Sequence, residues 1–117
     1  MKSFKIEQRT NRGFEVLDLH GELAAHTASE LEEALLKLIK NKKANIIVNF
    51  NGLDYIASAG LGVFMAYIED VREIGGDIKL TNMNNKVYNV FDLLGFPTLY
   101  DILEDENMAV QKFLKEQ

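Results

Sequence analysis

The stretch Asn45-Ile46-Ile47-Val48-Asn49-Phe50, followed by Asn51-Gly52 and then by Asp54-Tyr55-Ile56-Ala57-Ser58-Ala59-Gly60-Leu61-Gly62, decides how the rest of the chain reads. The first part is apolar and β-branched, the mark of a buried strand, and Asn51-Gly52 is a turn signal. Beyond Ser58 the apolar residues switch to helical spacing, over about Ala59 to Ile74, until Gly75-Gly76 stops the pattern. Ser58 therefore falls at the N-cap, with its hydroxyl beside backbone N–H groups that lack intrahelical partners. A serine there is either a structural cap or a chemical handle.

Working outward, Phe4 to Arg9 and Phe14 to Leu19 alternate apolar with polar residues around Asn11-Arg12-Gly13, the pattern of an antiparallel hairpin. Thr27-Ala28-Ser29-Glu30 reads as a capping box before Leu31, Ala34, Leu35, Leu38 and Ile39, one face of a helix. Its charges, Glu30, Glu32 and Glu33 early and Lys37, Lys40, Lys42 and Lys43 late, complement the helix dipole and read as a solvated face. Asp77 to Thr81 is a short strand, and Asn82 to Asn85 caps a brief helix whose buried stripe is Val87, Val90, Phe91 and Leu94. Gly95 and Pro97 end that helix. Leu99 to Leu103 reads as an edge strand, Asp101 to Glu106 as an exposed acidic connection, and Met108 to Leu114 as a final helix on Val110, Phe113 and Leu114. Strands alternating with helices after a hairpin imply an α/β fold: one mixed sheet of four to five strands with about four helices, in a single domain over residues 1–117.

Composition removes several function classes. The chain has 117 residues, a net charge of −5 and no cysteine. Cysteine nucleophiles, thiolate metal sites and disulfides are excluded. The acidic balance argues against nucleic acid, whose binding rests on clustered Lys and Arg. The apolar runs are too short to span a membrane, and Met1-Lys2-Ser3-Phe4-Lys5 leads into a strand rather than a signal-peptide core, so a soluble, cytoplasmic protein is expected.

Catalytic motifs fail one by one. Gly60-x-Gly62-x-x-Met65 lacks the third glycine of a dinucleotide loop, and no Lys-Ser or Lys-Thr follows. The nucleophile-elbow pattern fails at Ile56, two before Ser58. His20 and His26 are the only histidines, read as turn or surface residues and too few for a typical zinc site. Small residues at Gly60 and Gly62 let the helix start approach the sheet or a bound partner. On the helix itself Leu61, Phe64, Ile68 and Val71 form a core stripe. Val63, Tyr67 and Ile74 extend the apolar arc beyond it, with Ile74 read as packed beneath a neighbouring helix and part of the arc as exposed. Glu69, Asp70, Arg72 and Glu73 read as solvent-facing.

Taken together, Leu19-His20-Gly21-Glu22-Leu23-Ala24-Ala25-His26-Thr27-Ala28 and Tyr55-Ile56-Ala57-Ser58-Ala59-Gly60-Leu61-Gly62 resemble the STAS domain. The likeness runs nearly end to end, including Ile74-Gly75-Gly76 and Leu94-Gly95-Phe96, and is strongest to free-standing bacterial anti-sigma factor antagonists. The resemblance implies a STAS-like sheet with helices mainly on one face and no cofactor or metal. It also implies a non-enzymatic, partner-switching role. The unphosphorylated protein would sequester an anti-sigma factor that doubles as a serine kinase, Ser58 would be the phosphorylated residue, and a metal-dependent serine phosphatase would restore it. The expected partner surface comprises Gly21, Glu22, Ala24, His26 and Thr27 of the first segment with Tyr55, Ala57, Ala59, Gly60, Leu61, Val63 and Tyr67 of the second. Where many family members carry aspartate, this chain has Ala24 and Ala57. Those two positions make a second reading credible: an unphosphorylated STAS scaffold or subunit that binds a transporter ATPase or a signalling assembly.

Overall fold

The computed structural model describes residues 3–117; Met1 and Lys2, where the sequence leads into the first strand, lie outside the described residues. Strands β1 (Lys5–Asn11) and β2 (Phe14–Leu23) form the expected hairpin. Its two-residue turn has positive φ at both Arg12 (53°) and Gly13 (89°), the mirror-image geometry whose twist matches paired strands. Helix α1 (Ala28–Lys40) leads to β3 (Asn45–Ile56), α2 (Ser58–Glu73) to β4 (Asp77–Thr81), and α3 (Asn85–Leu93) with a 3-10 turn at Phe96–Thr98 to β5 (Ile102–Leu103). Helix α4 (Glu106–Glu116) closes the described chain. The sheet order is β1-β2-β3-β4-β5, antiparallel at β1–β2 and parallel elsewhere.

Alternation along the central strands sorts side chains to two faces. On the front, Leu17, Leu19 and Leu23 of β2, Ile46, Val48 and Phe50 of β3, and Ile78 and Leu80 of β4 meet the buried faces of α1, α2 and α3. At its centre Phe50 lies 5.8 Å from Phe64 and 5.5 Å, edge-on, from Phe91. Phe91 in turn meets Phe96 edge-on at 4.9 Å. Tyr100 stacks on Phe96 and donates its hydroxyl to the Phe64 carbonyl, so the segment before β5 is fastened to α2. Burial holds the Tyr100 phenol well above its usual pKa.

The back face is covered differently. Ala109, Val110 and Phe113 of α4 pack on Phe14, Val16 and Ile47 as a separate small core, with Phe14 and Phe113 stacked at 5.0 Å. Ionic anchors flank it. Arg9 bonds Asp18 and reaches Glu106 at the start of α4, and Asn11 also donates to Glu106. Lys79, fully buried, is held by Asp77 (3.0 Å), Asp101 (2.8 Å) and Glu116 (3.0 Å) and lies over the Phe113 ring; Lys112 donates to Asp101. Burial alone would lower the Lys79 pKa, but the three carboxylates outweigh it and hold the ammonium charged.

Several boundaries differ from the sequence reading. Asn51-Gly52 makes no turn: β3 runs through it to Ile56, because Gly52 leaves the room that the His20 imidazole and the Leu19 carbonyl occupy. His20, read as a turn or surface residue, lies within β2 rather than in a turn, and is partly exposed 3.1 Å from Glu7. Thr27 is the N-cap of α1, but its hydroxyl bonds the preceding loop, so no side-chain capping box forms. Glu32 is not merely solvated, since it accepts a hydrogen bond from Tyr67. Leu94 is exposed as the C-cap of α3, and only Ile102–Leu103 of the predicted edge strand pairs. The Asp101 to Glu106 stretch is no free connection, because Asp101 and Glu106 belong to the anchors of α4. Arg72 is exposed yet fixed by Asp77 and the Leu99 carbonyl.

The turn after α2 is as the sequence implied. Gly75, at φ 91°, donates to Arg72, and Gly76 donates to Val71, a Schellman closure. A Cβ at Gly76 would overlap the Ala44 carbonyl, whereas one at Gly62, exposed in mid-helix, would meet nothing within 4 Å. Gly76→Ala is therefore expected to destabilise by about 1–3 kcal/mol. Gly62→Ala is expected to stabilise by about 0.5–1 kcal/mol through helix propensity. Denaturant unfolding of the two variants checks both signs.

The anchors set an expected pH dependence. Hydrogen bonds from Arg9 hold Asp18 and Glu106 below the usual carboxylate pKa. Burial pushes Asp101 up, but hydrogen bonds from Lys112 and Lys79 outweigh it and leave its pKa low too. Carboxyls whose folded pKa is depressed stabilise the fold fully above their unfolded values, near pH 4, and lose that contribution as pH falls through the folded values. Melting temperature should thus fall from about pH 4 downward. In Arg9→Met it should start lower at pH 7 and fall less steeply; an unchanged profile would contradict the role given to Arg9.

Candidate functional site

Parallel pairing of β2 with β3 extends to their last residues, Leu23 opposite Ile56, and the Ala57 N–H donates to the Leu23 carbonyl at 2.9 Å. The two segments singled out in the sequence therefore leave the sheet side by side. Ala57, in extended conformation (φ −105°, ψ 170°), is the N-cap of α2; Ser58 is its first helical residue, one position later than the sequence reading placed it. This alters the chemistry of the serine. An N-cap side chain turns back to its own backbone, but here the cap is an alanine and no side chain caps α2. Ser58 is exposed, and among the described residues its hydroxyl has no hydrogen-bond partner. The positive end of the helix dipole lies beneath it, a setting that tolerates an added anion.

The neighbouring loop is built to hold its shape. Thr27 is buried; its hydroxyl accepts from the Ala24 N–H (2.9 Å) and donates to the Glu22 carbonyl (3.1 Å). The N–H groups of Thr27 and Ala28 both donate to the Ala24 carbonyl. Ala25 and His26 are left exposed at the tip. Gly21, with φ 87°, is buried where a Cβ would strike the Ser3 carbonyl, so its role is to admit the chain at β1 rather than to touch another molecule. Gly60 likewise serves packing: a Cβ there would collide with the Leu23 side chain. Of the two glycines expected to permit close approach, Gly60 faces the interior and Gly62 faces open space.

The expected apolar flank of α2 is mostly interior. Leu61 (4% exposed) and Val63 (8%) belong to the front core, because α2 is covered by α1 as well as by the sheet. Tyr67 is half-buried and donates its hydroxyl to Glu32 of α1 at 2.6 Å, a bond that, with burial, raises the phenol pKa. Ile74, expected beneath a neighbouring helix, is exposed at 37%. Over residues 58–66 of α2 the exposed positions are Ser58, Gly62, Met65 and Ala66, with Ala59 half-exposed; Tyr55 at the end of β3 and His26 at the loop tip are exposed as well. Sequence reasoning offered Gly62 as a residue that admits the sheet or a partner, but missed Met65 and Ala66. Their signal is the helical period counted from Ser58, at i+7 to i+8. Tyr55 is 44% exposed at the end of β3, with the Lys86 ammonium 6.0 Å from its ring centre. Glu22 and Ala24 are half-exposed beside the same edge.

Nothing in this arrangement resembles a metal centre: among the described residues no group of three or more His, Cys, Asp or Glu side chains is placed to hold an ion. Nor is any helix there long and apolar enough to cross a membrane.

Comparison with known proteins agrees with this geometry. The STAS domain family model matches residues 5–109. The anti-sigma-B factor antagonist of Bacillus subtilis is 27% identical over 109 residues, covering 93% of this chain and 99% of the relative. Among solved structures, an anti-sigma factor antagonist from Mycobacterium paratuberculosis superposes with a TM-score of 0.86 at 17% identity, over 94% of this chain and 93% of that one. The Bacillus cell fate determinant SpoIIAA in its phosphorylated form gives 0.72 at 23% identity, over 95% and 99%. A five-stranded mixed sheet with α1, α2 and α3 on one face, a match over nearly all of its length, and the two signature segments joined at Leu23 and Ala57 place this chain in the STAS domain family.

Proposed function

We propose that this chain, as a single STAS domain, is an anti-sigma factor antagonist that works in the cytoplasm by partner switching. With Ser58 unphosphorylated it binds an anti-sigma factor; that partner, acting as a serine kinase, phosphorylates Ser58 and is released, and a serine phosphatase restores the binding form. The chain is a regulatory binding protein and supplies no catalytic residue. The observation that carries this reading is the position of Ser58: exposed, uncommitted to any internal hydrogen bond, and at the first residue of α2 beside the rigid loop at residues 24–27. The names of the relatives support it.

The contact surface in this reading is narrower than the set of residues that the two segments supply. Ser58, Ala59 and Gly62 of α2, Tyr55 of β3, Glu22 of β2, and Ala24 and His26 of the loop reach the outside; Gly21, Thr27, Gly60, Leu61 and Val63 shape that surface from within. Ala57 fixes where the helix begins. Tyr67 braces α2 against α1 through Glu32.

Phosphate on Ser58 brings about −1.5 to −2 charges. Within the domain the helix terminus favours such an anion by about 0.3–1 kcal/mol, whereas a poorly matched charge across a desolvated interface costs several kcal/mol. Phosphorylation should therefore abolish binding while leaving the melting temperature nearly unchanged. The check is phosphorylation by the cognate kinase, mapping by mass spectrometry, and titration of both forms against the anti-sigma factor. Ser58→Ala should bind and resist release. Equal affinity of the two forms would refute the switch, and no incorporation at Ser58 would favour an unphosphorylated scaffold.

Burial separates binding from folding at two neighbouring positions. Val63→Glu puts an unpaired charge into the core and should destabilise by about 3 kcal/mol, near the upper end for single substitutions. Gly62→Glu, one residue away and exposed, should leave the melting temperature within a few degrees and weaken partner binding at least tenfold. Thermal unfolding beside a binding titration distinguishes them.

A further inference from the structure

A second feature of α2 lies toward its other end, about 10 Å along the helix axis from Ser58 at 1.5 Å per residue. There α2 and the segment before β5 enclose a groove of about 650 Å³. Its floor is the buried Ile68, and its apolar walls are Met65, 58% exposed, and Leu99, 43% exposed. The Arg72 stem closes one side and is tied in place: Nε donates to Asp77 at 2.9 Å, a terminal nitrogen donates to the Leu99 carbonyl at 2.6 Å, and the guanidinium lies 5.9 Å from the Tyr100 ring centre. The rim carries Glu69, Asp70 and Glu73, none of them in an ion pair among the described residues. Among the described residues the one cation lining the groove, Arg72, is already engaged, so three carboxylates stand unneutralised around an exposed apolar slot.

We infer that this groove is a docking site for a cationic amphipathic segment of a partner protein, inserting an apolar side chain between Met65 and Leu99 and setting Lys or Arg side chains against Glu69, Asp70 and Glu73. Charge selects this occupant. Nucleic acid and anionic ligands are repelled by the rim, and a second copy of a chain of net charge −5 is disfavoured by the same sign of charge. Among the described residues a copy could offer Leu36 with Lys37 and Lys40 of α1, or Met108 with Lys115 of α4, where Lys112 is already paired with Asp101, as a matching patch. The inference stands apart from the Ser58 reading, because none of the groove residues is needed for phosphorylation.

The test titrates a synthetic fourteen-residue helix of leucine and lysine in heptad spacing into the isotope-labelled chain, followed by NMR at physiological salt. Amide shifts should concentrate at residues 65–73 and 99. Met65→Ser with Leu99→Ser, both at exposed positions, should weaken binding at least tenfold, and Glu69→Gln with Asp70→Asn and Glu73→Gln should do the same while flattening the salt dependence. Glu30→Gln with Glu33→Gln, on the exposed face of α1, should change nothing, and a leucine–glutamate helix should not bind. Circular dichroism confirms that each variant is folded. Shifts spread over every acidic surface, or an equal loss in the α1 variant, would overturn the site. Sedimentation showing a dimer that Met65→Ser with Leu99→Ser abolishes would assign the groove to a second copy instead.

Discussion

The pairing of β2 with β3 out to Leu23 and Ile56 is the constraint on which the candidate functional surface depends. It brings together two segments more than thirty positions apart in sequence, and the Ala57 N–H bond to Leu23 fixes where α2 starts relative to the loop before α1. The register is not uniform: it shifts between Asp18 and His20 and again between Gly21 and Glu22. Such irregularities re-aim side chains at strand ends, and here they coincide with the segment that leads into the loop. Small residues make the junction possible. Gly21 admits the chain at Ser3, Gly52 lies beneath His20, and Gly60 lets Leu23 pack under the first turn of α2. The outcome is a rigid edge from which Ser58 projects without internal commitments.

The two sides of the sheet are stabilised by different physics. The front core is aromatic and continuous, and it ties α2 to α3 through Phe64, Phe91 and Phe50. The back is covered by α4 alone, a short apolar stripe between two ionic clusters, with the buried Lys79 ammonium satisfied by three carboxylates. A buried charge of this kind costs desolvation that its partners must offset, so loss of one partner is costlier than the pair is worth. This division leaves α2 stiff, held by α1 through Tyr67 and by the 3-10 segment through Tyr100. A stiff helix suits the proposed switch, in which a change of charge at Ser58 would alter the surface rather than the fold.

Much of this was legible in the sequence because it is local. Alternation gave the hairpin and β4, helical spacing gave all four helices, and Gly75-Gly76 marked the end of α2. What the sequence hid depends on contacts between distant segments. Asn51-Gly52 carries a turn signal that the pairing of β3 with β2 overrides. Val63 looked surplus to one core stripe because periodicity within a helix does not count how many neighbours cover it. Asp101 and Glu106 looked solvated because Glu106 finds its cation, Arg9, at the opposite end of the chain. At Ser58 the error was a single residue, yet it moved the serine from a self-satisfied cap to a free hydroxyl.

The most direct test of the central claim, that the edge formed by the 24–27 loop and the start of α2 is where the partner binds, is amide hydrogen exchange of the chain alone and in complex with its anti-sigma factor. Protection gained on binding should centre on residues 22–28 and 55–66 and leave α4 and β1 unchanged. Protection confined to α4 or the back of the sheet, with Ser58 and its neighbours exchanging as in the free chain, would contradict it.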